Sequence, residues 1–218
     1  MASIFRKARE GFKNDEILYL LRSGSMHVDA RDATSGRSLL HEAAAYGNES
    51  LIDLLMTEFA ADIHRKTYIG SDTPLHLAVS FDCKSTVSLL LKYGADPNVR
   101  DKYMSTPLYY ASSQAVVLIL HENGGSALVK NSSSETPLEA SLARQSCTSS
   151  KEKGITNTLK WIEEEQQNRI TTEELQSHRE QKLARLEAAE MKKAVEIKQE
   201  ALLSKQKMLS EYVSYRNR

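Results

Sequence analysis

The sequence predicts an all-α chain: a solenoid of about four stacked helix-pair repeats with an N-terminal capping half-repeat, then one long charged helix. Three observations predict it. A short motif recurs as "SLLHEA" at 38–43, "TPLHLA" at 73–78, "TPLYYA" at 106–111 and "TPLEAS" at 136–141, with starts 35, 33 and 30 residues apart. All four prolines and all nine glycines lie at or before Gly154, so the 64 residues 155–218 contain no helix breaker. Composition shifts at the same place: residues 151–218 carry 14 basic and 12 acidic side chains among Gln, Ala and Leu, a mixture typical of long helices.

Taken in order, residues 1–25 read as the capping half-repeat, with Ile17, Leu18, Leu20 and Leu21 forming its outer helix. Residues 26–157 hold the repeats. In each, a Ser or Thr at the N-cap accepts a bond from a first-turn N–H, and in the last three a Pro at the first helical position sacrifices no useful donor. A short helix follows, then a turn such as Gly47-Asn48, then a Leu-rich second helix: "LIDLL" at 51–55 and "VSLLL" at 87–91 each lie 13 or 14 residues after their motif. Gly94 ends one such helix where a left-handed residue is needed, and the Asp-containing stretch "YGADPNVRD" at 93–101 turns into the next unit. One such pair cannot bury its apolar faces alone; stacked neighbours can. Residues 158–218 form the long helix, and Leu159, Trp161 and Ile162 are expected to close the apolar end of the last repeat.

Residues 26–150 resemble the ankyrin repeat, through Thr73-Pro74-Leu75-His76, Gly94-Ala95-Asp96, Asn98 and Gly47-Asn48. The resemblance implies an ankyrin-repeat solenoid in which motif Thr and His bond to backbone and to each other, so Ser38, His41, Thr73 and His76 are expected to be architectural rather than a nucleophile and a base. There are departures. Asp82 and Ala115 stand where the family has an inter-helix glycine, Tyr109 and Glu139 replace the motif histidine, and the 30-residue third spacing implies a truncated inter-helix turn. Asn98 resembles the position at which some ankyrin repeats are hydroxylated.

The rest of the sequence narrows the function. Its 29 basic and 29 acidic side chains balance, so the net field favours neither nucleic acid nor an anionic membrane. The longest apolar run, Ala115 to Leu120, is six residues, far short of a membrane span, and the opening stretch lacks the apolar core of a signal peptide. Cys83 and Cys147 make no CxxC pair and fit a reducing compartment. The six histidines show no metal-ligand spacing, and neither a Gly-rich phosphate loop nor a nucleophile elbow occurs. The expectation is a soluble, cytoplasmic protein, with the nucleus open, that is not an enzyme and takes no metal, cofactor or small-molecule substrate.

What remains is surface. The resemblance implies binding of protein partners through loop tips and inner-helix edges lining a groove, which here gives Arg37, Tyr46, Tyr68, Ile69, Ser80, Phe81, Lys102, Tyr103, Met104 and Ser113. In the tail, Ala188, Val195, Leu202 and Leu209 recur at sevens beside Met191 and Tyr212, but Lys198 and Lys205 interrupt the second row. This narrow stripe leaves a solitary helix, disorder in isolation, a coiled coil and a docking helix open. The functional expectation is a scaffold in a hetero-assembly, with one partner on the groove and another along the tail. Cytoskeletal and ciliary assemblies use long helices of this kind. The alternative is a groove inhibitor or substrate receptor that regulates an enzyme or transcription complex.

Overall fold

The first two inner helices begin where their own motifs cap them. In the computed structural model, which describes residues 2–10, 14–144 and 150–216, with side chains beyond 188 only at 191–193, 198, 199 and 205, Ser38 caps α3 (Leu39–Tyr46) and Thr73 caps α5 (Pro74–Ser80). Both are extended at φ near −90° and close a reciprocal box with the residue three further on. The outer helices follow as α4 (Glu49–Thr57) and α6 (Lys84–Lys92). Among the described residues there is no strand; one isolated antiparallel bridge joins Arg31 to Ser38.

The N-terminal segment departs from expectation. It forms a complete helix pair, α1 (Ala2–Glu10) and α2 (Asn14–Arg22), rather than a single outer helix. Phe5 and Ala8 of α1 are buried together with Ile17 and Leu21 of α2, one turn apart on the same face, while Leu18 is only half-buried. The α3 helix is packed between α1 and α5, with α4 behind it, which is why every residue of α3 up to Ala45 is buried.

The third unit is the irregular one. Its inner element is a four-residue 3-10 turn, Pro107–Tyr110, and the chain then extends through Ala111 to α7 (Gln114–Glu122). The 30-residue spacing thus shortens the inner helix itself, not the turn after it. Ala115 accordingly lies inside α7 rather than at an inter-helix turn. Asp82 does occupy the glycine position: its φ of 58° matches the left-handed Gly47 at 74°, and its carboxylate accepts the Ser113 hydroxyl.

The last inner helix is α8 (Pro137–Arg144), and α9 runs from Ser150 to Arg216. It starts before the expected residue 158 and passes through Gly154, whose carbonyl also accepts the Thr158 hydroxyl at 2.9 Å. Ile155, Leu159 and Ile162 are buried in the same core as Leu120 and Val117. The compact repeat unit therefore runs from Met1 to Gln167, past the expected boundary at 157. Its core is one continuous cluster that includes Leu39, Leu51, Leu55, Leu75, Leu90, Leu108, Leu120 and Leu159, each essentially inaccessible. Full burial of each contributes on the order of 1.5–3 kcal/mol. The second unit, Asn168–Arg218, is helical to Arg216, and every side chain described in it is exposed.

Candidate functional site

The motif residues are braces between repeats. The Ser38 N–H donates to His41 Nδ1 at 3.2 Å, and His41 Nε2 donates to the Asp72 carbonyl of the next unit at 3.0 Å. The two partners fix the tautomer, since a backbone N–H only donates and a carbonyl only accepts. His76 repeats the arrangement with the Thr73 N–H at 3.3 Å and the Ser105 carbonyl at 3.3 Å. A second ring proton would face a donor in a dry site. Burial holds His41 down to about 4 and lowers His76 as well, so both are neutral.

Where the histidine is replaced, its two jobs separate. The Tyr109 hydroxyl donates to the Glu135 carbonyl, the position equivalent to Asp72 and Ser105, and lies 2.6 Å from the Val129 carbonyl. Tyr109 cannot close the cap, and the buried Thr106 hydroxyl is left without a partner. Glu139 does the reverse: it accepts the Thr136 N–H at 2.6 Å, closing the cap. Ser38, His41, Thr73 and His76 are all buried, so neither hydroxyl nor imidazole of these two braces is in contact with solvent.

The loops before each inner element form the exposed part of the site. Each is pinned at its base by one side chain. Asp32 accepts from the hydroxyls of Thr34 and Ser35, Asp101 from the N–H groups of Tyr103 and Ser105, and Asn131 from those of Ser133 and Glu135. These bonds hold the Asp32 carboxyl well below the usual carboxylate range. Neighbouring tips are then tied by backbone bonds: Tyr68 N–H to the Ser35 carbonyl, Lys102 N–H to Gly70 and Ser132 N–H to Tyr103, at 3.1, 2.8 and 2.8 Å. On this row stand Tyr68, Ile69 and Tyr103 at 58%, 67% and 57% exposure, with Met104 and Lys102 also exposed. Arg31 lies over the Tyr68 ring at 5.0 Å. Met104 has φ 60°, a left-handed conformation held at the equivalent loop positions by Gly36, Ser71 and Ser134.

At the other ends of the inner helices, Tyr46 and Phe81 are half-exposed with ring centroids 5.8 Å apart, and Ser80 is exposed beside them. Arg9 lies over Tyr46 at 5.4 Å and donates to the buried Glu42 carboxylate at 2.9 Å. Arg37 approaches the same carboxylate at 3.7 Å, so it is half-buried and committed to the fold. An inner helix of this length separates its two ends by roughly 10–12 Å. Ser113 does not belong to the surface. It is buried as the N-cap of α7, accepting from Val116 N–H, because the shortened inner element draws it under the turn. Asn98 is likewise engaged, donating to the Gly124 carbonyl at 2.9 Å and accepting the Ser126 N–H at 2.8 Å.

The first turns of α9 close the solenoid, a role that the apolar pattern announced only in part. Gln166 accepts the Ala127 N–H at 2.9 Å and donates to the Gly125 carbonyl at 3.0 Å, much as Asn98 does between repeats. Trp161, expected inside, is 53% exposed and meets His121 edge-on at 5.8 Å, because Leu159 and Ile162 take the inward face. Along the tail, Ala188 and Met191 are exposed, whereas the side chains of Val195, Leu202, Leu209 and Tyr212 lie outside the described residues. No helix among the described residues is long and apolar enough to cross a membrane, and none of their His, Cys, Asp and Glu side chains gather as a metal-holding group of three.

Comparison with known proteins agrees with this architecture. The family model described as Ankyrin repeats (3 copies) matches residues 5–101 and 40–132. The chain is 36% identical over 118 residues to BCL-6 corepressor-like protein 1 of Homo sapiens, covering 54% of this chain and 6% of that protein. It is 39% identical over 92 residues to the nuclear factor NF-kappa-B p105 subunit of Mus musculus, covering 42% and 9%. It is 36% identical over 101 residues to NF-kappa-B inhibitor zeta of Homo sapiens, covering 44% and 14%. The chain thus spans a small part of each relative's length.

Proposed function

This chain belongs to the ankyrin-repeat family, and from that premise we propose that it is a non-enzymatic adaptor: the loop-tip row and the Tyr46–Phe81 pair take one protein partner, and the helix beyond 167 takes another. The observation that carries the proposal is the row of Tyr68, Ile69, Tyr103 and Met104, large apolar side chains left exposed on loops that the fold makes rigid. Rigid exposed aromatic residues lose little freedom on binding and suit interface anchors. The tail reading rests on a helix with Leu175, Leu183, Leu186 and Met191 exposed and no described side chain buried, for which a partner would supply the missing apolar contact. A place in a cytoskeletal or ciliary hetero-assembly is the finer form of this reading, with the long helix as its support.

The experiment is proximity labelling in cells with the full chain, the double variant Ile69→Ser/Tyr103→Ala, and a chain ending at Gln167. The expected outcome is two separable sets of neighbours, one lost with each change. Identical labelling by all three would refute the adaptor reading. A regulatory reading has its own support, since two relatives are named as an inhibitor and a corepressor-like protein. In that case occlusion of a partner uses the repeats alone, and truncation at Gln167 leaves the regulatory effect intact.

A further inference from the structure

The tip row also carries information about the chemistry of what it binds. Its carboxylates are occupied: Asp32 and Asp101 accept the turn bonds described above, Asp101 also accepts the Tyr110 hydroxyl, and Asp72 accepts the Thr67 hydroxyl at 3.3 Å. Three of its exposed cations are not. Arg100, Lys102 and Lys130 form no ion pair among the described residues, and all three are exposed on the loops that begin the third and fourth units. The backbone offers little, because the N–H groups of Tyr68, Lys102 and Ser132 already bond to the preceding tips. A partner cannot add as a strand across these groups and must be read through its side chains.

Spacing supplies the rest. Stacked helical units sit roughly 8–10 Å apart. A polyproline II segment repeats its side-chain direction every three residues, about 9.3 Å at 3.1 Å per residue. One residue in three then meets one loop tip after another. Met104 sharpens the point: glycine or serine fills the same left-handed position in the other loops, so the backbone does not ask for a long apolar side chain there.

We infer that the row formed by Tyr68, Ile69, Lys102, Tyr103 and Met104 binds an extended acidic segment of a protein partner, in polyproline II conformation, with a carboxylate at every third residue and aliphatic side chains between. The aliphatic groups lie on Ile69, Tyr103 and Met104, while the carboxylates meet Lys102, Arg100 and Lys130. Nucleic acid is the poorer fit, since a phosphate backbone would leave the exposed Ile69 and Met104 without aliphatic contact and the whole chain carries no net charge. This inference rests on the adaptor reading and specifies its first partner.

The test uses the full chain and a fluorescent peptide of five Glu-Pro-Leu units, read by anisotropy. The expected result is saturable binding that weakens with salt, and at least tenfold weaker binding by Arg100→Glu/Lys102→Glu, which in turn gains affinity for a peptide of five Lys-Pro-Leu units. Ile69→Ser removes an exposed side chain and should weaken the acidic peptide severalfold without moving the melting temperature. Unchanged binding in the charge-reversed variant overturns the inference, as does tighter binding of a single-stranded oligonucleotide or of phosphatidylserine vesicles than of the acidic peptide. If the peptide fails while Ile69→Ser/Tyr103→Ala still loses a set of labelled neighbours, the acidic chemistry falls and the adaptor reading stands. If both fail, both fall.

Discussion

Acid should destabilise the repeat unit before its carboxylates begin to titrate, and the two brace histidines are the reason. His41 is held at about 4 in the folded protein, against an ordinary value near 6.5, because burial disfavours the imidazolium and its Nδ1 faces the Ser38 N–H. The folded-state value is lowered, so the unfolded chain binds the extra proton between these limits. Stability is therefore full above pH 6.5 and falls as the pH drops toward 4. At pH 5 the linkage cost for His41 alone is about 2 kcal/mol, and His76 is shifted in the same direction for the same reason. Asp32, whose folded value is lowered by its hydroxyl and N–H donors, adds a loss only below the ordinary carboxylate range, so the window from pH 7 to 5 belongs to the histidines. The assay is urea unfolding followed by far-UV circular dichroism at pH 7.5, 6.0 and 5.0. For a unit of this size a loss of that order lowers the melting temperature by roughly 4–8 °C. His41→Gln/His76→Gln, which keeps a donor and an acceptor on each side chain but cannot titrate there, should lose most of the slope. A wild-type stability that stays level across this range, or a double variant with the same slope, would refute the reasoning.

Three further outcomes are expected. Tyr109→Phe should destabilise the third repeat by about 1–3 kcal/mol, because the Glu135 and Val129 carbonyls lose their shared donor in a half-dry site; urea midpoints check it. Gln166→Ala should speed hydrogen exchange at the Ala127 amide, which then has no acceptor, while leaving exchange in α3 unchanged. Met104→Gly should hold or raise stability by up to about 1 kcal/mol by relieving the left-handed backbone, partly offset by the freedom glycine gains when unfolded, and should weaken the tip-row partner; a clear loss of stability would show that the Met104 side chain packs into the fold.

The sequence by itself determined the repeat, its phase and the position of most helices, because the chemistry involved is local. A Ser or Thr and a His three residues later close a capping box within one turn, Pro74 and Pro107 mark first helical positions, and Asp32, Asp101 and Asn131 bond to their own loops. The exposure of Tyr68, Ile69, Tyr103 and Met104 was legible for the same reason, since their place follows from the loop. Tertiary structure decided whatever depends on a neighbour some 20 to 45 residues away. It turned Tyr109 into the inter-repeat donor, reaching across 26 residues to Glu135, and drew Ser113 out of the surface to meet Asp82, 31 residues back. It also assigned the start of α9 to the repeats, through Gln166 and the loop 41 residues before it, and left Trp161 outside. Composition could mark where the helix breakers end, but whether a turn of helix is buried depends on the surface it meets, and that surface exists only once the repeats have stacked.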